Sequence, residues 1–166
     1  MSLEREVFAA IAALLVLSQL VTPPAAAHDA HEHGHHAAKS FAAGEPGTPD
    51  EAYRTIEIVM NDASGAMAFS PNTLEVKRGE QVRFVLQNAG EVDHEFLIDT
   101  VANNAHHKGA MAENPDMQHS EPNGRRVAPG TTSELIWRFT KPGSFEIACL
   151  IPGHYEAGMK GVVVVR

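Results

Sequence analysis

One cysteine stands in this 166-residue chain, at Cys149, and it has company. His154 follows five positions later and Met159 five after that, within the stretch CLIPGHYEAGM. Thiolate, imidazole and thioether are soft or borderline donors, the kind that hold transition metals. A lone cysteine cannot form an internal disulfide. In an exported protein it must be buried and inert, paired between chains, or protected by a ligand. GSFEIAC reads as a strand with Phe145 and Ile147 on one side, and GVVVVR as a β-branched closing strand. Pro152-Gly153 forces a turn between them. Cys149, His154 and Met159 therefore share one loop at one end of a β structure. A fourth donor is expected from a neighbouring strand. His94 is best placed, because it opens the apolar run HEFLI just after the turn-like NAGEVD.

The donor set selects a metal. Two imidazoles and one thiolate make a trigonal plane, with a thioether as a weak axial donor, which is the set of a mononuclear blue-copper site. Thiolate and thioether suit Cu(I), and imidazole keeps Cu(II) accessible. Structural zinc draws on paired Cys or His in closed four-ligand sites, so one Cys with an axial Met matches it poorly. The bland alternatives are a buried structural thiol, a surface loop histidine and a core methionine. Their coincidence in one order and one loop favours the metal.

The elements that must position these donors are strands. RTIEIVMND alternates Ile56, Ile58 and Met60 with Glu57 and Val59. VKRGEQVRFVLQN turns at Arg78-Gly79-Glu80 and then points Val82, Phe84 and Leu86 one way. SELIWRFT alternates Leu135, Trp137 and Phe139 with Glu134, Ile136 and Arg138. Such period-2 runs, separated by Gly, Pro and Asn turns, predict an all-β fold over residues 52–166, an antiparallel sandwich or barrel. Residues 101–124 interrupt the pattern with a polar, irregular insertion, in which a short helix is expected near His106 to Ala112.

The N-terminus predicts export. An apolar run from Val7 to Val21 is too short to span a bilayer comfortably and ends at Thr22-Pro23-Pro24. AAA at Ala25 to Ala27 fits a cleavage site, giving a signal peptide over residues 1–27 and a periplasmic mature protein with no membrane anchor. Residues 28–51 lack any core-forming period and read as a mobile leader. This leader holds five of the ten histidines: His28, His31, His33, His35 and His36. Mobile neutral imidazoles chelate Cu(II), Zn(II) or Ni(II). Met111, Met117 and His119 in the insertion are further candidate accessory copper ligands. The formal net charge of −8 argues against nucleic acid as a partner.

From about residue 53 to residue 166 the sequence resembles the cupredoxins. The resemblance rests on VKRGEQVRFVLQN, on His94 after it, and on the C-x4-H-x4-M pattern of Cys149, His154 and Met159. FEIACLIPGHYEAGMKG, MQHSEPN and the histidine-rich leader look like the small bacterial periplasmic cupredoxins linked to copper tolerance. The resemblance implies a Greek-key sandwich holding one type-1 copper on those four residues. Many members carry Asn directly after the first ligand histidine, where it braces the thiolate. Here Glu95 stands in that place, which leaves the brace open.

Three functions compete. Copper handling uses the central site, the leader histidines and the extra Met and His. A small electron carrier, acting as a monomer with a periplasmic redox partner, needs only one buried site and a docking patch. Catalysis is not expected. Multidomain copper enzymes flank their type-1 cysteine with histidine, whereas Ala148 and Leu150 flank this one. A Cys/His hydrolase would need an electropositive pocket and an oxyanion hole, which the loop does not suggest. Copper handling accounts for more of the sequence.

Overall fold

The computed structural model describes residues 41–63, 66–114 and 121–166. The expected signal peptide, the leader histidines His28, His31, His33, His35 and His36, and also Met117 and His119, lie outside these residues.

Among the described residues, ten strands and one helix follow each other: β1 (Gly44–Pro46), β2 (Arg54–Asn61), β3 (Ala68–Ser70), β4 (Thr73–Val76), β5 (Gln81–Asn88), β6 (His94–Asp99), α1 (Val101–Glu113), β7 (Gly124–Val127), β8 (Thr132–Phe139), β9 (Gly143–Ala148) and β10 (Lys160–Val165). They form two five-stranded sheets, in the orders β1-β8-β5-β2-β3 and β4-β10-β9-β6-β7. Alternation decides which side chains face inward. Ile58, Met60, Val82, Phe84, Leu86, Leu135, Trp137 and Phe139 from the first sheet meet Leu74, Val76, Phe96, Ile98, Phe145, Ile147, Val163 and Val165 from the second. Phe96 bridges the layers, its ring centroid 5.1 Å from that of Phe84 and 5.7 Å from that of Phe69.

Three features depart from the sequence reading. The sandwich is mixed rather than antiparallel, because β2 runs parallel to β5 and β4 parallel to β10. Period-2 patterning fixes which face a residue takes but says nothing of its neighbour's direction. The expected boundary at residue 51 moves back to Phe41. Phe41 and Ala43 are buried, the Phe41 ring meets Trp137 edge-on at 5.4 Å, and β1 pairs with β8 in the register Gly44↔Phe139. The insertion holds a full helix of 13 residues, longer than the short one expected near His106 to Ala112. The Thr100 side chain caps it by accepting a hydrogen bond from the Asn103 N–H at 3.1 Å.

That helix explains the unbroken apolar run of β6. Phe96 and Ile98 enter the main core. On the opposite face Leu97 joins Met111, Ala148 and Leu150 in a second cluster beneath α1. Buried on both faces, β6 and the end of β9 form a firm floor for the loop that follows β9.

Candidate metal centre

Strand ends and one loop deliver the candidate donors to one end of the sandwich. His94 is the first residue of β6, and Cys149 directly follows β9. The register Leu97↔Ala148 between β6 and β9 carries both donors past the same edge. The loop from Cys149 to Met159 is wound by successive backbone bonds: His154 N–H to Ile151 O at 3.0 Å, Gly158 N–H to Tyr155 O at 3.1 Å, and Met159 N–H to His154 O at 3.1 Å. Its base is closed by Cys149 N–H donating to Met159 O at 3.0 Å. Gly153 and Gly158 have φ of 89° and 100°, which favours glycine at both corners.

Side chains converge inside this frame. One ring nitrogen each of His94 and His154 and the Cys149 sulfur lie within 4.8 Å of one another, the only such cluster of His, Cys, Asp or Glu among the described residues. The His94 Nδ1 is 3.3 Å from the His154 Nδ1, and the Cys149 Sγ is 3.4 Å from the same His154 nitrogen. Cys149, His94 and Met159 are fully buried, and His154 is half-buried. The structure thus brings together three of the sequence-predicted donors, His94, Cys149 and His154, and buries Met159 at the end of the same loop.

Burial holds all three titratable donors in their uncharged forms. It pushes the Cys149 thiol up to about 12, against the opposing pull of the Glu95 and Ile151 backbone N–H groups. It pushes His94 down, opposed by the Asp62 carboxylate, and pushes His154 down, helped by His94. A sulfur and two lone-pair nitrogens, all desolvated and aimed at one point, are a poor arrangement without a cation and a good one around a soft or borderline metal. The residues present therefore fit a copper ion.

The brace left open at Glu95 is supplied in another way. The Glu95 N–H donates to the Cys149 sulfur at 3.2 Å, while its buried carboxylate accepts from the Leu150 N–H at 3.3 Å. Further support has no signal in the sequence. Glu146 accepts from the Asn104 side chain on α1 and from the Tyr155 hydroxyl in the loop, each at 3.0 Å. Buried Asn88 shapes the turn before His94 by donating to Val92 O at 2.8 Å and Val127 O at 2.9 Å. No local motif announces such long-range partners. Of the accessory candidates, Met111 is buried among Leu97, Ala148 and Leu150, where its thioether fills space.

Comparison with known proteins agrees with this geometry. A family model described as copper binding proteins of the plastocyanin/azurin family matches residues 56–166. Copper-resistant cuproprotein CopI of Rubrivivax gelatinosus is 48% identical over 160 residues, covering 93% of this chain and 95% of that protein. The protein of the same name from Pseudomonas aeruginosa is 36% identical, again over 93% and 95% of the two chains. Among solved structures, reduced auracyanin from Roseiflexus castenholzii shares the fold, with a TM-score of 0.58 at 22% identity over 70% of this chain and 99% of that one. The chain belongs to the plastocyanin/azurin family of copper-binding proteins.

Proposed function

We propose that the protein is a periplasmic copper-handling factor that holds one type-1 copper on His94, Cys149, His154 and Met159 and contributes to copper tolerance. The convergence of the two histidine nitrogens and the Cys149 sulfur within 4.8 Å carries this reading. The names of the CopI relatives, which align over nearly the whole chain, support the tolerance role. Bound copper supplies a one-electron couple between Cu(I) and Cu(II). The chain's own part is to exclude water and to hold its donors ready. Cys149 gives up its thiol proton as it becomes a ligand, and the Glu95 N–H remains to support the sulfur. The desolvated imidazoles of His94 and His154 stay neutral and able to donate. The leader histidines His28, His31, His33, His35 and His36 serve as a Cu(II) collector for this site. Export is supported by the apolar N-terminal run, and among the described residues no helix is long and apolar enough to cross a membrane. The mature chain acts as a monomer.

The test combines spectroscopy and growth. Purified protein with one Cu(II) equivalent should show strong thiolate-to-copper visible absorption, and Cys149→Ser should abolish it. A deletion strain should grow poorly in excess copper, rescued by the wild-type gene but not by Cys149→Ser. Retention of the absorption band by Cys149→Ser would refute the site. Full copper tolerance of the deletion strain would leave the electron carrier as the better reading.

A further inference from the structure

We propose that Asp62 is a positioning residue for His94. Its carboxylate holds the His94 ring as the Nε2–H tautomer and so presents an unprotonated Nδ1 to Cys149 and His154. The consequence for copper rests on His94 being a ligand; the tautomer itself does not.

Asp62 directly follows β2, 32 positions before His94, yet the fold fixes it beside the ring. Its Oδ2 accepts the backbone N–H of Glu91 at 2.8 Å and of Val92 at 3.1 Å, which ties it to the turn leading into β6. Gly90 makes room: a Cβ there would stand 2.5 Å from the Asp62 Oδ2. In this position the oxygen lies 3.5 Å from the His94 Nε2. That nitrogen is buried and has no hydrogen bond of good geometry. A few tenths of an ångström of closure would give one, and a buried polar nitrogen beside a carboxylate has strong reason to close it.

The neutral ring carries one proton and must place it on one of two nitrogens. On Nδ1 the proton would point toward the His154 Nδ1, 3.3 Å away, and would mask the donor. The bare Nε2 lone pair would then face the carboxylate oxygen, lone pair against lone pair. On Nε2 the proton meets the carboxylate and Nδ1 is left open. The carboxylate contact favours the Nε2–H tautomer, and the 3.3 Å contact between the two Nδ1 atoms is then kept as a hydrogen bond by a proton on the His154 Nδ1. A carboxylate behind a ligating imidazole also raises its basicity and strengthens its hold on a cation. Nothing about ND at the end of a strand reveals this, because Asp62 comes to His94 only through the pairing of β2 with β5 and the turn that follows β5.

Long-range proton–nitrogen correlation spectra of metal-free, ¹⁵N-labelled protein, taken above pH 7.5 where both rings are neutral, read the tautomer directly. His94 should carry its proton on Nε2 in the wild type. Asp62→Asn keeps an oxygen for the Glu91 and Val92 N–H groups but removes the charge. Because that retained oxygen still accepts from Nε2–H, the variant should keep the tautomer while lowering Cu(II) affinity by roughly tenfold to a hundredfold and raising the reduction potential, whereas Asp62→Ala, which removes the acceptor, should also shift His94 toward a mixture of tautomers. Asp62→Glu should restore part of each. A wild-type His94 protonated on Nδ1 overturns the proposal. So does an Asp62→Ala protein with wild-type tautomer and affinity, which would reduce Asp62 to a loop tether. A shifted tautomer with unchanged copper affinity would uphold the role of Asp62 and would instead count against His94 as a ligand.

Discussion

Cys149, His94 and His154 each resist becoming charged, and the direction of each shift sets how the metal-free protein answers pH. His94 and His154 are pushed below 6.5, chiefly by burial. Below 6.5 the unfolded chain therefore takes up protons that the folded one refuses, and stability falls as pH drops through the folded values. Cys149 is pushed from 9.0 up to about 12. Above 9 the unfolded chain loses a proton that the folded one keeps, so stability falls again as pH rises toward 12. The metal-free protein should thus show a plateau between about 6.5 and 9, with losses on both sides. Urea midpoints measured across that range check the shape. The basic limb should shrink in Cys149→Ser and the acidic limb in a variant lacking both histidines. An unchanged basic limb in Cys149→Ser would exclude the buried thiol as its cause.

At the scale of elements, β1 makes the sharpest prediction, because it lies in what reads as a leader. A chain beginning just before Phe41 should keep full stability. One beginning at Glu51 removes Phe41, exposes the edge of Trp137 and strips β8 of its outer neighbour. Loss of the Phe41 side chain alone is worth about 3–5 kcal/mol in a packed site, and denaturant midpoints of the two chains should differ accordingly. Equal midpoints would mean that β1 contributes nothing. The contrast with β5 and β8 shows what is legible. In those strands, alternation over eight residues is enough by itself to name Phe84, Leu86, Leu135 and Trp137 as core. Gly44–Pro46 is too short to show a period and contains two residues that strands avoid. α1 hides for a different reason. Asn103, Asn104 and Gly109 weaken its intrinsic propensity, and what holds it is the Thr100 cap, the seat of Met111 and the bond from Asn104 to Glu146. The site divides in the same way. Cys149, His154 and Met159 are legible because they are neighbours in sequence and share an unusual donor chemistry. Asp62, Glu146 and Asn88 are ordinary residues made relevant only by the chain's return to one place.

Across the described residues, the two sheets close a continuous core, and the proposed donors sit where β6, β9 and β10 leave it. Three of the four proposed donors come from the eleven-residue stretch Cys149 to Met159, and only His94 arrives from far along the chain. This arrangement bears on the unfolded state as much as on the folded one. A denatured chain forfeits His94 but still carries thiol, imidazole and thioether on one short tether, so it remains a copper chelator. Binding to the unfolded chain subtracts from the stabilisation that binding to the native one confers. Copper should therefore raise the urea midpoint by less than its native affinity alone would give. Urea-denatured protein should still bind Cu(I), and Cys149→Ser should weaken that binding sharply. Failure of the denatured chain to bind, together with the full linkage stabilisation, would refute this. If it holds, metal capture does not have to wait for the sandwich: the ion can board the chain first, and the docking of His94 then closes the site around a passenger already aboard.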